Sequence, residues 1–142
     1  MIVLDTTVLV YAVGADHPLR DPCRELIGAV ANGRIAATTT VEVLQEFTHV
    51  RTRRRDREDA VRLARDYLDL LAPLLVVSTD DLAQGLRLYA RTDRLGAFDA
   101  VLAAAAERAD GAAVVSADAA FAEADVAHVV PDAGGVARLL AG

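Results

Sequence analysis

The chain has 142 residues, 54% of them hydrophobic, and a formal net charge of −6, a size and composition that predict one well-buried domain over residues 1–142. The acidic balance excludes a protein that coats nucleic acid through its overall charge, so an RNA partner would need a local basic patch or a metal. No run of about 18 apolar residues and no basic segment ahead of an apolar stretch occurs, so we expect a cytoplasmic protein without membrane contact.

The first predicted element is a buried strand at Ile2–Leu4. This run is aliphatic and has no polar alternation, which is typical of a central strand covered on both faces. Apolar residues resume at helical spacing from Val8, and Thr6 or Thr7 is able to cap that helix. Asp5 would therefore lie at the carboxyl end of a parallel strand, where open α/β sheets place their ligands, although an acid here also suits a helix cap.

A helix and a second strand are predicted after this opening segment. Asp21 as cap and Pro22 at the first helical position mark the start of the helix, and Asn32-Gly33 marks its end. A short strand follows at 35–38.

The next segment is predicted to form two amphipathic helices and a third strand. Thr39 and Glu42 form a capping-box pattern that opens the first helix. Asp56 begins the second helix, which ends before Pro73. The apolar run 75–77 then predicts another buried strand.

Helices and strands alternate through the rest of the chain. Helices are predicted at about 80–91, 97–109 and 135–140, and strands at 113–115 and 126–130. This order of elements predicts an α/β fold with a central, mostly parallel sheet.

Four acids occupy positions next to these elements. Asp5 and Asp118 each come directly after an apolar strand, so in a parallel sheet both belong to the same edge. Asp99 lies in the first turn of an Ala-rich helix, where it suits the positive helix end, and Glu46 lies on the flank of an apolar helical stripe. Each acid also has a structural explanation as a cap or a solvated charge, and the sequence does not show whether they converge.

Convergent carboxylates would require a cation. Two unit negative charges about 4 Å apart repel by roughly 4 kcal/mol at an effective dielectric constant near 20. A hard divalent ion such as Mg²⁺, or Mn²⁺ in its place, matches ligation by carboxylate oxygens, and there is no cluster of Cys and His that would suit zinc.

Four segments together resemble the PIN-domain ribonucleases, specifically the VapC toxins of type II toxin–antitoxin systems: MIVLDTTVLVYA, EVLQEF, LGAFDAVLAAAA and VVSADAAF. The resemblance spans essentially the whole chain and implies a three-layer α/β/α fold. It also implies a Mg²⁺-dependent endoribonuclease that hydrolyses RNA through metal-activated water. The implied partners are a second copy in a homodimer and a VapB-type antitoxin, which inserts a C-terminal segment at the acidic site of a toxin–antitoxin hetero-oligomer.

The resemblance also implies roles for the acids. The catalytic residues would be Asp5, Glu46, Asp99 and Asp118. Asp5 and Asp99 are the first choice as metal ligands, and the other two would ligate directly or through water.

Three further residues would support this site. Thr6 and Ser116 would be polar groups behind the ligands. Glu42 lies one helical turn from Glu46 and is a weaker addition, because the capping box accounts for it without catalysis.

Five arginines occur within residues 51–57. They form a local patch able to hold an RNA backbone on an otherwise acidic chain, although a solvated helix end explains them equally well. The predicted RNA-binding residues are Arg51, Arg53, Arg54 and Arg55.

Other classes of protein fit less well. A haloacid-dehalogenase-like phosphatase needs a second Asp two positions after the first, where Thr7 stands, and a receiver domain needs a Lys, which the chain lacks. A PIN-like module that binds RNA or protein without cleavage stays open as the alternative.

Overall fold

The computed structural model describes residues 1–142 and contains a four-stranded sheet. Its strands are β1 (Ile2–Leu4), β2 (Ala37–Thr38), β3 (Ala113–Val115) and β4 (His128–Val129). They lie in the order β2-β1-β3-β4, and every pairing is parallel. β1 is an internal strand, as its uniform apolar run predicts, and β3 is its direct neighbour.

Seven α-helices and one 3₁₀ helix surround this sheet. The α-helices are α1 (Thr6–Ala12), α2 (Arg20–Ala31), α3 (Val41–Arg54), α4 (Arg57–Leu71), α5 (Thr79–Arg91), α6 (Ala97–Arg108) and α7 (Ala133–Ala141), and the 3₁₀ helix is Ala119–Glu123. The predicted α/β fold with a parallel sheet is confirmed. None of these helices combines the length and the apolar character needed to cross a bilayer.

Small residues allow α5 and α6 to pack closely. α6 buries five alanines and one leucine along its length. On the facing helix, a Cβ added at Gly85 would lie 2.7 Å from Val101 Cα and from Val101 Cγ2, closer than real Cβ contacts. The backbones of α5 and α6 are therefore in near contact, and α6 has little freedom to shift along the sheet.

Three helix starts differ from the prediction. α1 begins at Thr6, so neither threonine caps it, and Asp5, which precedes it, forms no side-chain cap. α2 begins at Arg20 rather than with the predicted cap Asp21. The capping box at Thr39 is wrong, because the Thr39 hydroxyl donates to the Leu4 carbonyl at 2.7 Å, and Thr40 caps α3 instead.

The strand predicted at 75–77 is also wrong. This segment forms one isolated parallel bridge, between Thr40 and Leu75. Leu75 packs against the core but Val76 is 75% exposed, so the run is not a buried strand.

Candidate functional site

Asp5 is buried where β1 ends, beside β3. Its side chain accepts hydrogen bonds from two hydroxyls: Ser116 Oγ donates to Asp5 Oδ2 at 2.6 Å, and Thr7 Oγ1 donates to the same oxygen at 3.3 Å. Burial raises the pKa of Asp5, and the bond from Ser116 opposes that rise. Both hydroxyls therefore hold the Asp5 carboxylate in one orientation while it is largely removed from water.

Asp118 follows β3 and is joined to Asp5 through the Ser116 hydroxyl, and the Thr7 hydroxyl makes a similar link to the preceding residue. Ser116 Oγ accepts from the Asp118 backbone N–H at 3.0 Å, and Thr7 Oγ1 accepts from the Ala117 N–H at 3.0 Å. Asp118 also caps the 3₁₀ helix, since its Oδ1 accepts from the Ala120 N–H at 2.9 Å. Asp118 therefore caps the 3₁₀ helix and also lies close to Asp5.

Asp99 lies in the first turn of α6 and is electrostatically coupled to three other acids. Its pKa is raised to about 7, first by burial and then by the negative charges of Asp5, Asp118 and Glu46, in that order. Carboxylates act on one another this way only at short range. The other three predicted acids, Asp5, Glu46 and Asp118, therefore lie near Asp99.

Glu46 lies on α3, and its side chain is exposed, as is that of Asp118. Partial burial and then the charge of Asp5 raise the pKa of Glu46, whereas the Thr6 hydroxyl and the charge of His49 lower it. Thr6 Oγ1 is buried yet makes no hydrogen bond of good geometry, so its contact with Glu46 is weak. A buried hydroxyl without a firm partner is a group that a bound ion or water would satisfy.

A hard divalent cation fits this donor set. The group consists of carboxylates with hydroxyls behind them, and like-charge repulsion opposes their contact unless a cation offsets it. No three His, Cys, Asp or Glu side chains stand close enough to form a preformed metal-binding group. A cation would therefore have to draw the carboxylates closer together by side-chain rotation.

Two of the three histidines, His17 and His128, make their contacts outside the acidic group. The ring of His17 stacks on Tyr11 with 4.3 Å between centroids, and His128 Nε2 lies 3.0 Å from the Ser116 carbonyl oxygen. Both rings are thus engaged elsewhere.

Two of the predicted site residues, Glu42 and Arg51, do not join the group of acids. Glu42 is exposed at the start of α3, and its charge is not among those that shift the pKa of Asp99 or Glu46. Arg51 is buried: its Nε donates to Asp59 at 2.6 Å and its Nη1 donates to the Val13 carbonyl at 3.0 Å. Arg51 ties α3 to α4, so its assignment to RNA is not supported by its surroundings.

The other arginines of the patch remain exposed. Arg53, Arg54, Arg55 and Arg57 lie at the junction of α3 and α4. They are free to contact an RNA backbone.

Thr7 is the residue that sequence reasoning missed. The sequence predicts Thr6 or Thr7 as a helix cap, whereas the Thr7 hydroxyl donates to Asp5, two residues earlier, and accepts from the N–H of Ala117, after β3. The spacing was a usable signal, because Thr side chains often bond to groups two residues away.

Comparison with known proteins gives consistent matches. The PIN domain family model matches residues 2–127. Ribonuclease VapC7 from Mycobacterium tuberculosis is 58% identical over 142 residues, covering 99% of this chain and 98% of that protein. Ribonuclease VapC23 from the same species is 33% identical over 111 residues, covering 76% and 85%. The crystal structure of FitAcB from Neisseria gonorrhoeae superposes with a TM-score of 0.74 at 19% identity, covering 92% and 98%, and supports the fold alone.

Replacement of Asp99 by Asn is expected to raise the melting temperature of the metal-free protein, most at high pH. The pKa of Asp99 rises from 3.8 to about 7 on folding, so the folded state holds this proton more tightly than the unfolded chain. The stability from this carboxyl is present below about pH 4 and is lost as the pH rises through about 7. Asn removes that loss, so the gain should grow from about pH 4 to about pH 8, to a few degrees.

Thermal melts in EDTA at both pH values measure this effect. Asp80→Asn is the matched control, because Asp80 is an exposed acid in the first turn of α5. A gain that does not depend on pH, or a loss of many degrees, would show that Asp99 is a structural residue.

Proposed function

The chain belongs to the PIN-domain family, within the VapC ribonucleases, and from this premise we propose that it is a Mg²⁺-dependent endoribonuclease. Mn²⁺ is the proposed substitute for Mg²⁺. The observation that carries the proposal is the electrostatic convergence of Asp5, Glu46 and Asp118 on Asp99, whose pKa they help to raise to about 7. Crowded, partly buried carboxylates are stabilised by a divalent cation.

Each of the four acids would help to hold the cation. Asp5 and Asp99 would hold the cation, with Glu46 and Asp118 ligating directly or through water. When bound, Mg²⁺ supplies a Lewis acid that lowers the pKa of water and offsets negative charge on the phosphate. Hydrolysis by water would leave 5′-phosphate and 3′-hydroxyl ends, whereas attack by the RNA 2′-hydroxyl would favour a pair of histidines.

The chain's own groups would orient these acids. The Ser116 and Thr7 hydroxyls fix one oxygen of Asp5, which leaves the other oxygen for the cation. Glu46 is exposed on α3, so it is the acid best placed to orient the attacking water and to accept its proton.

The surface beside Glu46 offers a path for RNA. A polar cavity of about 520 Å³ runs along α3, lined by Gln45, Thr48, His49, Thr52, Arg57 and Val61. Seven helical residues separate Glu46 from Arg53, a distance of about 10 Å along the helix axis. We propose that single-stranded RNA leaves the acids along this cavity and that Arg53, Arg54 and Arg55 bind its phosphates.

Two exposed apolar faces suit protein partners. On α5, Leu82, Leu86 and Tyr89 recur at helical spacing and are 47%, 52% and 49% exposed, and Phe98 of α6 lies beside them. Such a ridge can pack against the same ridge of a second copy about a twofold axis, so we propose that the homodimer forms here.

The second face is a groove between α3 and α4, where Val41, Val61 and Leu68 are exposed. A concave apolar groove suits an inserted amphipathic helix. It begins at the first residue of α3, the helix that carries Glu46. A VapB-type antitoxin seated there could present a basic side chain to the acids, and we propose that inhibition in the toxin–antitoxin hetero-oligomer works in this way.

The last helix, α7, belongs to the same folded unit as the rest of the chain. The family model ends at residue 127, but α7 packs on α2, so we propose one PIN domain over residues 1–142. We further propose that it acts on RNA in the cytoplasm.

Asp5→Asn is expected to abolish Mg²⁺-dependent cleavage, because the substitution removes a buried charged ligand and keeps the side-chain shape. Purified protein is incubated with structured RNA, with Mg²⁺ or with EDTA, and the cleaved ends are mapped. We expect at least about 100-fold less cleavage by the variant and none in EDTA. Asp16→Asn is the control, because the Asp16 side chain is 99% exposed.

RNA binding by the wild-type chain without cleavage in Mg²⁺ or Mn²⁺ would instead support the alternative, a non-cleaving PIN-like binding module. Cleavage that persists in EDTA would overturn the metal dependence.

The triple variant Arg53→Ala, Arg54→Ala, Arg55→Ala is expected to raise KM for RNA with little change in kcat. The loss of three phosphate contacts should also reduce the salt slope of binding by about 2. The matched control removes three exposed arginines elsewhere, Arg34, Arg87 and Arg138. Equal effects of the two triple variants would show that only net charge matters.

Leu86→Asp is expected to convert a dimer into a monomer, because it buries a charge in the proposed contact between two α5 ridges. Mass measurement in solution provides the test. Leu68→Asp is the matched control on the α3–α4 groove and should leave the dimer intact. If Leu68→Asp breaks the dimer and Leu86→Asp does not, the two faces have been assigned the wrong way round.

A further inference from the structure

Glu123 ends the 3₁₀ helix and accepts three hydrogen bonds from a loop distant in sequence. The Asp93 N–H donates to Glu123 Oε2 at 2.9 Å, the Arg94 N–H donates to the same oxygen at 3.4 Å, and Arg94 Nε donates to Oε1 at 2.8 Å. The side chain of Glu123 is only 22% exposed. One carboxylate thus clamps the 92–96 loop to the 3₁₀ helix.

Each of the two clamped segments carries one of the acids. The 3₁₀ helix is capped by Asp118, and the 92–96 loop leads into α6, whose first turn contains Asp99. Glu123 therefore connects the segment that carries Asp118 to the loop that leads to Asp99, and it does so without touching either acid.

The start of α6 has no other polar anchor. Gly96 occupies the cap position, and no side chain caps the helix. Leu95 is 2% exposed, so apolar packing holds it in the core. Apolar packing does not fix the orientation of the loop, because it is not directional. The hydrogen bonds to Glu123 supply the directional restraint.

Asp99 and Asp118 need such a restraint because they repel each other. Both side chains are negatively charged when ionised, and like charges at one edge of the sheet repel each other. Metal ligands are held in place by groups behind them, and the loss of such a group typically costs about 10–100-fold in metal affinity.

We propose that Glu123 is a positioning residue that sets the separation of Asp99 and Asp118 and thereby the affinity of the site for a divalent cation. The inference rests on the proposed function, in which these acids hold that cation. Glu123 touches neither acid and acts through the loop and the 3₁₀ helix.

The test compares Mn²⁺ binding by the wild-type chain, Glu123→Ala and Glu123→Gln, using calorimetry and the melting temperature of each protein in EDTA. Glu123→Ala removes all three bonds and should raise the Kd for Mn²⁺ about 10-fold. Glu123→Gln keeps one acceptor oxygen and should give an intermediate Kd. Cleavage by Glu123→Ala should recover toward the wild-type rate at saturating Mg²⁺.

Asp125→Ala is the matched control. Asp125 pairs with Arg91 at 2.9 Å between the same two regions, but its side chain is 88% exposed and bonds no backbone amide. Exposed ion pairs contribute little, so the Kd for Mn²⁺ should stay within twofold of the wild-type value.

The outcomes separate positioning from general stability. A lower melting temperature for Glu123→Ala with an unchanged Kd overturns the proposal, as does an equal rise in Kd for Asp125→Ala. If Glu123→Ala does not fold, a Kd for Glu123→Gln equal to that of the wild type also overturns it. If the wild-type chain binds no Mn²⁺, the proposed function itself fails, whereas failure of this inference alone leaves wild-type binding intact.

Discussion

Repulsion between carboxylates at one edge of the sheet is the constraint on which the rest of the structure depends. The parallel pairing of β1 with β3 places Leu4 opposite Val115, so Asp5 and Ser116 follow on neighbouring strands. The Asp5 N–H donates to the Val115 carbonyl at 3.0 Å, which extends the pairing by one residue. Without that register, the hydroxyl that stabilises the buried carboxylate would not reach it.

The helices hold the other acids in place against this repulsion. The close approach of α5 and α6 at Gly85 limits movement of the helix that carries Asp99, and Arg51 fixes α3 to α4 through Asp59. These contacts are apolar or fully paired, so the acids are the main source of electrostatic strain at this edge of the sheet. In the proposed function, a bound cation would offset this repulsion and so stabilise the folded chain.

Local patterns predicted the parts of the structure that depend on neighbouring residues. The uniform apolar run at β1 predicted a central strand, and the apolar runs at β1 and β3 together predicted that Asp5 and Asp118 share one edge of the sheet. Several of the failures involve long-range partners, whereas the missed role of Thr7 involves a residue only two positions away. Thr39 has the local pattern of a cap, but its hydroxyl donates to the carbonyl of Leu4, which is distant in sequence. Arg51 has the local pattern of a solvent-exposed residue, but in the folded chain it bonds to Asp59 and Val13. The segment at 75–77 has the composition of a strand, but its pairing is limited to one bridge between Thr40 and Leu75.

The most direct test of the account is calorimetric titration of Mn²⁺ into the wild-type chain in buffers of different ionisation enthalpy. If the cation binds among carboxylates whose crowding raises the pKa of Asp99 to about 7, binding should release a proton near pH 6 and progressively less as the pH rises to about 8. Saturable binding with this pH-dependent proton release is the predicted result. Absence of Mn²⁺ binding, or binding without proton release near pH 6, would contradict the account.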